Sequence, residues 1–205
     1  MNDPISNVLS ELEEQSDLEK SRKIDVKPQD RMLAITKDTG ELLNIILRLK
    51  NAKNMLEIGT SVGYSTIWCA EAIAEKSGNI ITIEQNPNKI QRAKENFQKA
   101  NVSNLITIKE GSAIKILEEL KSQEKHNEFF DFVLIDADKE NVIKYFDLVF
   151  PMVALGGIII TDNMLYPEKY RKEMKKYSEY LKRNSNVRTT TSQIGNGEEI
   201  TVKIK

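Results

Sequence analysis

Near position 53 the apolar residues of this chain change their period. Before it they recur at helical spacing. Val8, Leu9 and Leu12 form a short stripe, and Glu41-Leu-Leu-Asn-Ile-Ile-Leu-Arg-Leu49 carries a stronger one. Lys27-Pro28-Gln29-Asp30 interrupts the pattern, and Thr36-Lys-Asp-Thr39 resembles a helix start. After position 53, short β-branched runs alternate with amphipathic segments. Runs at about 55–58, 80–84, 106–109, 131–135 and 157–160 predict five strands, apolar enough to be covered on both faces. Helices are expected at about 63–76, from Pro87 to about Asn101, near 113–121 and at about 167–183, Pro87 suiting a first helical turn. Val187–Ser192 and Glu199–Ile204, joined across Gly195-Asn196-Gly197, read as a β-hairpin. The expectation is an α/β, Rossmann-like fold. Its doubly wound sheet has seven mixed strands, closed by an antiparallel C-terminal hairpin and preceded by N-terminal helices. Residues 1–205 form one domain, with a helical cap at 1–50 and an α/β core at 53–205.

Composition adds mainly exclusions. With 30 Lys and Arg against 31 Asp and Glu, the formal net charge of −1 makes no global field for nucleic acid or membrane. Cys69 is the single cysteine, so no internal disulfide forms; it reads as a core thiol in a reducing cytosol. No apolar run approaches the ~18 residues of a membrane span. Met1-Asn-Asp-Pro lacks the basic and apolar regions of a signal peptide, so a soluble, cytoplasmic protein is expected. His126, in the polar stretch Gln123–Glu128, is expected on a surface loop, and Trp68 and Tyr64 are expected to pack or line a cofactor wall.

The chemistry gathers at predicted strand ends. In Met55-Leu-Glu-Ile-Gly-Thr-Ser-Val-Gly-Tyr-Ser65 an apolar run reaches Glu57, a glycine turn follows, and a helix opens after Gly63. The next run ends at Glu84, at the distance of a ribose-binding carboxylate. A dinucleotide fingerprint would place glycines near 61 and 64. Ser61 and Tyr64 stand there, so a cofactor without phosphates fits better. Asp136 and Asp138 end strand four, and Asp162 and Asn163 end strand five. Neighbouring strands lie ~4.8 Å apart, so Asp136 and the Asp162–Asn163 pair are expected to converge. Two carboxylates and an amide oxygen suit Mg²⁺, with positions left for water and substrate. The plainer alternative is that such aspartates start turns or cap helices. Lys139, three residues beyond Asp136 and at the expected start of the next helix, can reach the same crevice, where a divalent ion would favour its neutral, basic form. The alternative for Lys139 is an ordinary surface lysine.

LEIGTSVGYS, TIEQNP, LIDADKEN and TDNML resemble, in order and spacing, the metal-dependent O-methyltransferases, the group that includes the catechol and caffeoyl-CoA enzymes. The likeness covers roughly 5–205. It implies S-adenosylmethionine in the crevice, with the Gly59 turn and Ser65 toward its methionine part, Glu84 on its ribose hydroxyls, and Glu57, Tyr64 and Gln85 among the cofactor-binding residues. Ser112 and Ala113 would flank the adenine, and Asp136 would lie near the sulfonium. The family's metal ligands fall on Asp136, Asp162 and Asn163, for Mg²⁺ or else Ca²⁺ or Mn²⁺, and its catalytic lysine on Lys139. A hydroxylated small aromatic is the implied acceptor and a homodimer the implied assembly. Three departures concern the substrate: Ala34 where relatives often have a polar residue, Tyr166 where many carry tryptophan, and a shorter segment after Asn163.

Three rival readings stand beside this one. Some relatives methylate a hydroxylated uridine in tRNA, and Lys169, Arg171, Lys172, Lys175, Lys176, Lys182 and Arg183 would suit RNA. The interleaved Glu168, Glu173 and Glu179 instead suggest a solvated face. A nicotinamide-dependent dehydrogenase shares the general architecture but not the glycine spacing. A non-catalytic binding module on the same fold is the third, since fold alone does not fix function.

Overall fold

The computed structural model describes residues 3–205. Seven strands form one sheet in the order β3-β2-β1-β4-β5-β7-β6. They are β1 (Asn54–Ile58), β2 (Asn79–Glu84), β3 (Ile106–Glu110), β4 (Phe130–Ile135), β5 (Val153–Thr161), β6 (Val187–Ser192) and β7 (Glu198–Lys203). The first five are parallel, and β7 runs antiparallel to both β5 and β6. The winding reverses between β1 and β4, which opens a crevice at their carboxyl ends. Among the described residues, the helices are α1 (Pro4–Lys20), α2 (Lys37–Lys50), α3 (Tyr64–Ala74), α4 (Pro87–Lys99), α5 (Ala113–Lys121), α6 (Val142–Val149) and α7 (Arg171–Arg183).

Two apolar layers sandwich the sheet. Helices α1 to α4 contribute Leu12, Leu43, Leu47, Ile67 and Phe97 to one. Helices α5 to α7 contribute Leu117, Phe146, Met174, Tyr177 and Leu181 to the other. Helix starts follow the capping chemistry in the sequence. The Thr36 hydroxyl accepts from the Thr39 amide at 3.2 Å, and the Asn86 side chain accepts from the amides of Asn88 and Lys89 at the head of α4. On α7 the buried side chains share one face, while Arg171, Lys172, Lys175, Lys176, Lys182 and Arg183 are exposed together with Glu179. No helix among the described residues is long and apolar enough to cross a membrane.

Three expectations need correction. Strand β5 begins at Val153 rather than Gly157, because Gly156, at φ +72°, sits in an irregularity that shifts the pairing with β4 between Phe130 and Phe132. His126 is buried, not on a surface loop. Its Nδ1 lies 3.0 Å from the Leu120 carbonyl, and its ring stacks on Phe130 at 5.8 Å between centroids. The polar residues around it masked the Phe129–Phe130 pair that shelters it. The helix after β4 begins at Val142, not at Lys139, because Asp138 first closes a turn. Its carboxylate accepts from the Asn141 amide, the Asn141 side chain and the Tyr145 hydroxyl, the capping role anticipated for a strand-end aspartate.

Candidate active site

Backbone geometry sets the turn after β1. Gly59 has φ +103°, and a Cβ there would overlap the Asp136 carbonyl, so the turn lies directly against the end of β4. The amides of Gly59 and Thr60 both donate to the Ile83 carbonyl, at 3.0 and 3.1 Å. Behind the turn, Glu57 is wholly buried. Its carboxylate accepts from the hydroxyls of Ser65 (2.6 Å), Thr66 (2.5 Å) and Thr82 (2.6 Å). Burial pushes this carboxyl above its ordinary range, with the three donors working against that rise. Glu57 therefore clamps α3 to β1 and β2 and reaches a ligand only through the turn it holds. The Ser65 proton is committed to Glu57, which leaves its oxygen lone pairs toward the crevice. The buried Tyr64 donates its hydroxyl to Glu13 of α1 at 2.7 Å.

At the end of β2, Glu84 accepts from the amides of Ser61, Gln85 and Asn86, each at 2.9 Å. The Gly111 amide donates to the Glu84 carbonyl at 2.8 Å, which brings Ser112 and Ala113, at the start of α5, beside Glu84. The segment Met32–Ile35, Ala34 included, roofs this region. Together with Gly59–Val62, Tyr64, Ser65 and Asp136 it encloses a free volume of about 10 Å³, enough for one water. The roof is latched from below. Glu19 accepts from the Met32 amide at 2.6 Å and pairs with Arg92 at 3.1 Å, and Asp30 accepts from Asn86 at 3.0 Å and Asn88 at 3.1 Å.

The pairing of Ile135 with Thr161 places Asp136 and Asp162 side by side. The Asp162 amide donates to the Ile135 carbonyl at 3.1 Å, and Asp162 is 1% exposed. Its carboxyl is pushed up, first by burial and then by the negative charge of Asp136. Asn163, in the left-handed region at φ +67°, donates its amide to Asp162 at 2.6 Å. Lys139 is buried, its Nζ 3.2 Å from an Asp136 oxygen. The four residues singled out by the sequence thus lie at one corner of the crevice, against the glycine turn.

A fifth residue joins them that the sequence reading missed. Glu198, the first residue of β7, is wholly buried. Its Oε1 accepts from the Thr39 hydroxyl of α2 at 2.9 Å, while its Oε2 has no N–H or hydroxyl donor and the carboxyl lies within hydrogen-bond reach of the Asp162 carboxyl. Burial and the neighbouring Asp162 push its carboxyl up. The sequence reading began this strand at Glu199 and so left Glu198 in the turn. The usable signal was two consecutive glutamates in an alternating strand, one of which must face inward. Among the described residues no three His, Cys, Asp or Glu side chains form a ready-made ligating group. The predicted donor set, two aspartates and an asparagine amide, is of a different kind. Its hard oxygens, with Asp162 buried beside the negative charge of Asp136, fit a divalent cation.

This sheet order, with its glycine turn after β1 and acidic strand ends, defines the class I methyltransferase architecture. The O-methyltransferase family profile matches residues 8–204, and the chain belongs to that family. It is 33% identical over 153 residues to caffeoyl-CoA O-methyltransferase 1 of Arabidopsis thaliana, covering 75% of this chain and 59% of that protein. Over 145 residues it is 36% identical to caffeoyl-CoA O-methyltransferase of Zinnia elegans, covering 71% of this chain and 59% of the relative. The match therefore spans about three fifths of these plant proteins. Among solved structures, the O-methyltransferase TomG of Streptomyces achromogenes, in complex with SAM, superposes with a TM-score of 0.80 at 25% identity, covering 100% of this chain and 91% of that one. The O-methyltransferase of Bacillus cereus, in complex with SAH, gives 0.77 at 25% identity, covering 96% and 90%.

Proposed function

We propose that the protein is an S-adenosylmethionine-dependent O-methyltransferase whose acceptor is a small aromatic with adjacent hydroxyls, bound through a divalent cation held by Asp136, Asp162 and Asn163. The observation that carries this reading is the corner where Asp136, Asp162 and the buried Lys139 meet against the Gly59 turn. In this reading Glu84 takes the ribose hydroxyls, Ser112 and Ala113 flank the adenine, and the Ser61–Ser65 turn receives the methionine part. Binding of relatives to SAM and SAH supports the choice of methyl donor.

A phenolic hydroxyl has pKa ~10, so at neutral pH about one molecule in a thousand is ionised, a deficit of ~4 kcal/mol. When bound, the divalent ion, most simply Mg²⁺, would supply charge that stabilises the oxyanion. Lys139 takes the hydroxyl proton, and its contact with Asp136 fixes where the amine sits. Asp162 and Asn163 set the acceptor's position beside the turn, and the Met32–Ile35 roof keeps water from the methyl carbon. The acceptor oxygen then forms a bond to that carbon as the carbon–sulfur bond breaks, which leaves S-adenosylhomocysteine as a neutral thioether. Holding oxygen, carbon and sulfur in line supplies the remaining acceleration.

Family membership argues against the dehydrogenase reading, and the glutamates within the basic face of α7 argue against tRNA. Association as a homodimer belongs to the same proposal. Ile45 and Leu49, 55% and 78% exposed on one face of α2, are suited to such a contact, and the molar mass in solution by light scattering tests it. The test of function is a panel of vicinal diphenols, hydroxycinnamoyl thioesters and tRNA with methyl-labelled S-adenosylmethionine, with and without Mg²⁺. Label on a diphenol that requires Mg²⁺ is expected; label on tRNA alone would overturn the acceptor assignment.

A further inference from the structure

We infer that Glu198 is an outer carboxylate of the cation site, its free Oε2 accepting a hydrogen bond from a water carried by the divalent ion. The inference rests on the cation reading proposed above and adds to it a residue, a mode of contact and a link to the N-terminal helices.

Three features of Glu198 carry it. Its burial is complete, yet one of its oxygens lacks a donor. Elsewhere the fold supplies donors generously to buried glutamates. Glu57 has three hydroxyls, and Glu199, the next residue in the chain, also has three, from Ser178, Thr189 and Thr191. A buried carboxylate oxygen left without a partner is expensive, and such a group persists where something outside the protein completes it.

The second feature is place. Glu198 adjoins Asp162, itself beside Asp136. Asp136, Asp162 and Glu198 do not form a three-carboxylate ligating group, and contact through a water of the ion is the mode assigned to Glu198. Mg²⁺ suits this arrangement, since it keeps several of its waters when protein-bound.

The third is fixation. The Thr39 hydroxyl holds Oε1 at 2.9 Å, and Thr39 in turn contacts the Thr36 hydroxyl at 3.0 Å. Gly195, at φ +58°, presses so closely on both threonines that a Cβ there would overlap the Thr39 hydroxyl. The β6–β7 turn and the start of α2 therefore lock Glu198 in one orientation. Groups of this kind, which orient the waters and ligands of a metal without touching it, change affinity by ~10–100-fold when removed. Glu198 acts as a positioning residue in this sense.

The test is titration of Mn²⁺ into chelator-treated protein, without methyl donor or acceptor, followed by calorimetry and by the electron paramagnetic resonance signal of free Mn²⁺. Wild type, Glu198→Gln and Glu198→Leu are compared, with the thermal midpoint of each measured in EDTA. Binding by wild type is expected, with a loss of ~10-fold for Glu198→Gln and up to ~100-fold for Glu198→Leu. In EDTA the leucine variant is expected to melt no lower than wild type, because an uncompensated buried carboxylate has gone. A merely structural glutamate would give the reverse: a lower midpoint and unchanged Mn²⁺ affinity. That result overturns the inference and leaves the cation reading standing. Absence of Mn²⁺ binding by wild type overturns both. If Glu198→Leu does not fold, Glu198→Gln decides alone, and wild-type affinity in that variant overturns the inference.

Discussion

Glu57 and Glu198 are both glutamates with no exposed surface, both near the carboxyl end of the sheet, and the fold treats them oppositely. Glu57 is surrounded by three hydroxyl donors from α3 and β2. Glu198 has one donor, an orphan oxygen and a second carboxyl as its neighbour. The first arrangement is complete without a ligand and holds the glycine turn in shape. The second leaves two neighbouring carboxyls that are completed by a shared proton or by added positive charge. Burial alone does not mark a functional carboxylate; the shortfall in partners does.

Substitutions sharpen this contrast. Asp136→Ala and Asp162→Ala, in the incomplete corner, are expected to lower turnover by on the order of 10³ or more while leaving donor affinity within a few-fold. Initial rates, with the fluorescence of Trp68, the only tryptophan, as the binding signal, check both halves of this statement. Lys139→Met is expected to cost ~10²–10³ in kcat, again with little change in donor binding. Retention of the wild-type rate would remove Lys139 as the proton acceptor. Glu57→Leu, in the complete region, leaves three hydroxyls without an acceptor and should destabilise the fold by roughly 3 kcal/mol in urea denaturation. A cost near zero there would show that the two glutamates are not different in kind.

The smallest expected effect is one of pH. The folded-state pKa of Glu57 is raised above its unfolded value near 4.5, so its contribution to stability is full below that value and is lost as pH rises through the folded one. Glu57→Gln carries no such penalty. Relative to wild type, its melting temperature should therefore improve as pH rises above the unfolded value. A difference that does not change with pH would mean that the clamp holds its charge without cost.

What could be seen in the sequence was what short stretches determine. Strand β1, its turn and α3 follow from one run of eleven residues, and the parallel order follows from the alternation of runs. Asp136 and Asp162 could be placed together because adjacent parallel strands end together. What escaped notice depended on distant parts of the chain. Glu198 acquires its meaning from Thr39, 159 positions away. The roof over the crevice depends on Glu19, Asp30, Asn86, Asn88 and Arg92, none of which belongs to a local motif. His126 lay hidden in a polar stretch whose only apolar cue was the Phe129–Phe130 pair. Glu57 and Glu84 share one signature in the sequence, an acidic residue on a strand, yet only Glu84 lies at the crevice with oxygens toward backbone amides.

The account stands or falls on a cation at the corner of Asp136, Asp162 and Asn163. The direct measurement is methyl transfer from labelled S-adenosylmethionine to a vicinal diphenol by chelator-treated enzyme as Mg²⁺ is added back. The account predicts no transfer in EDTA, saturable recovery as Mg²⁺ rises, and no recovery for Asp162→Ala. Full transfer in EDTA, with Asp162→Ala as active as wild type, would contradict it.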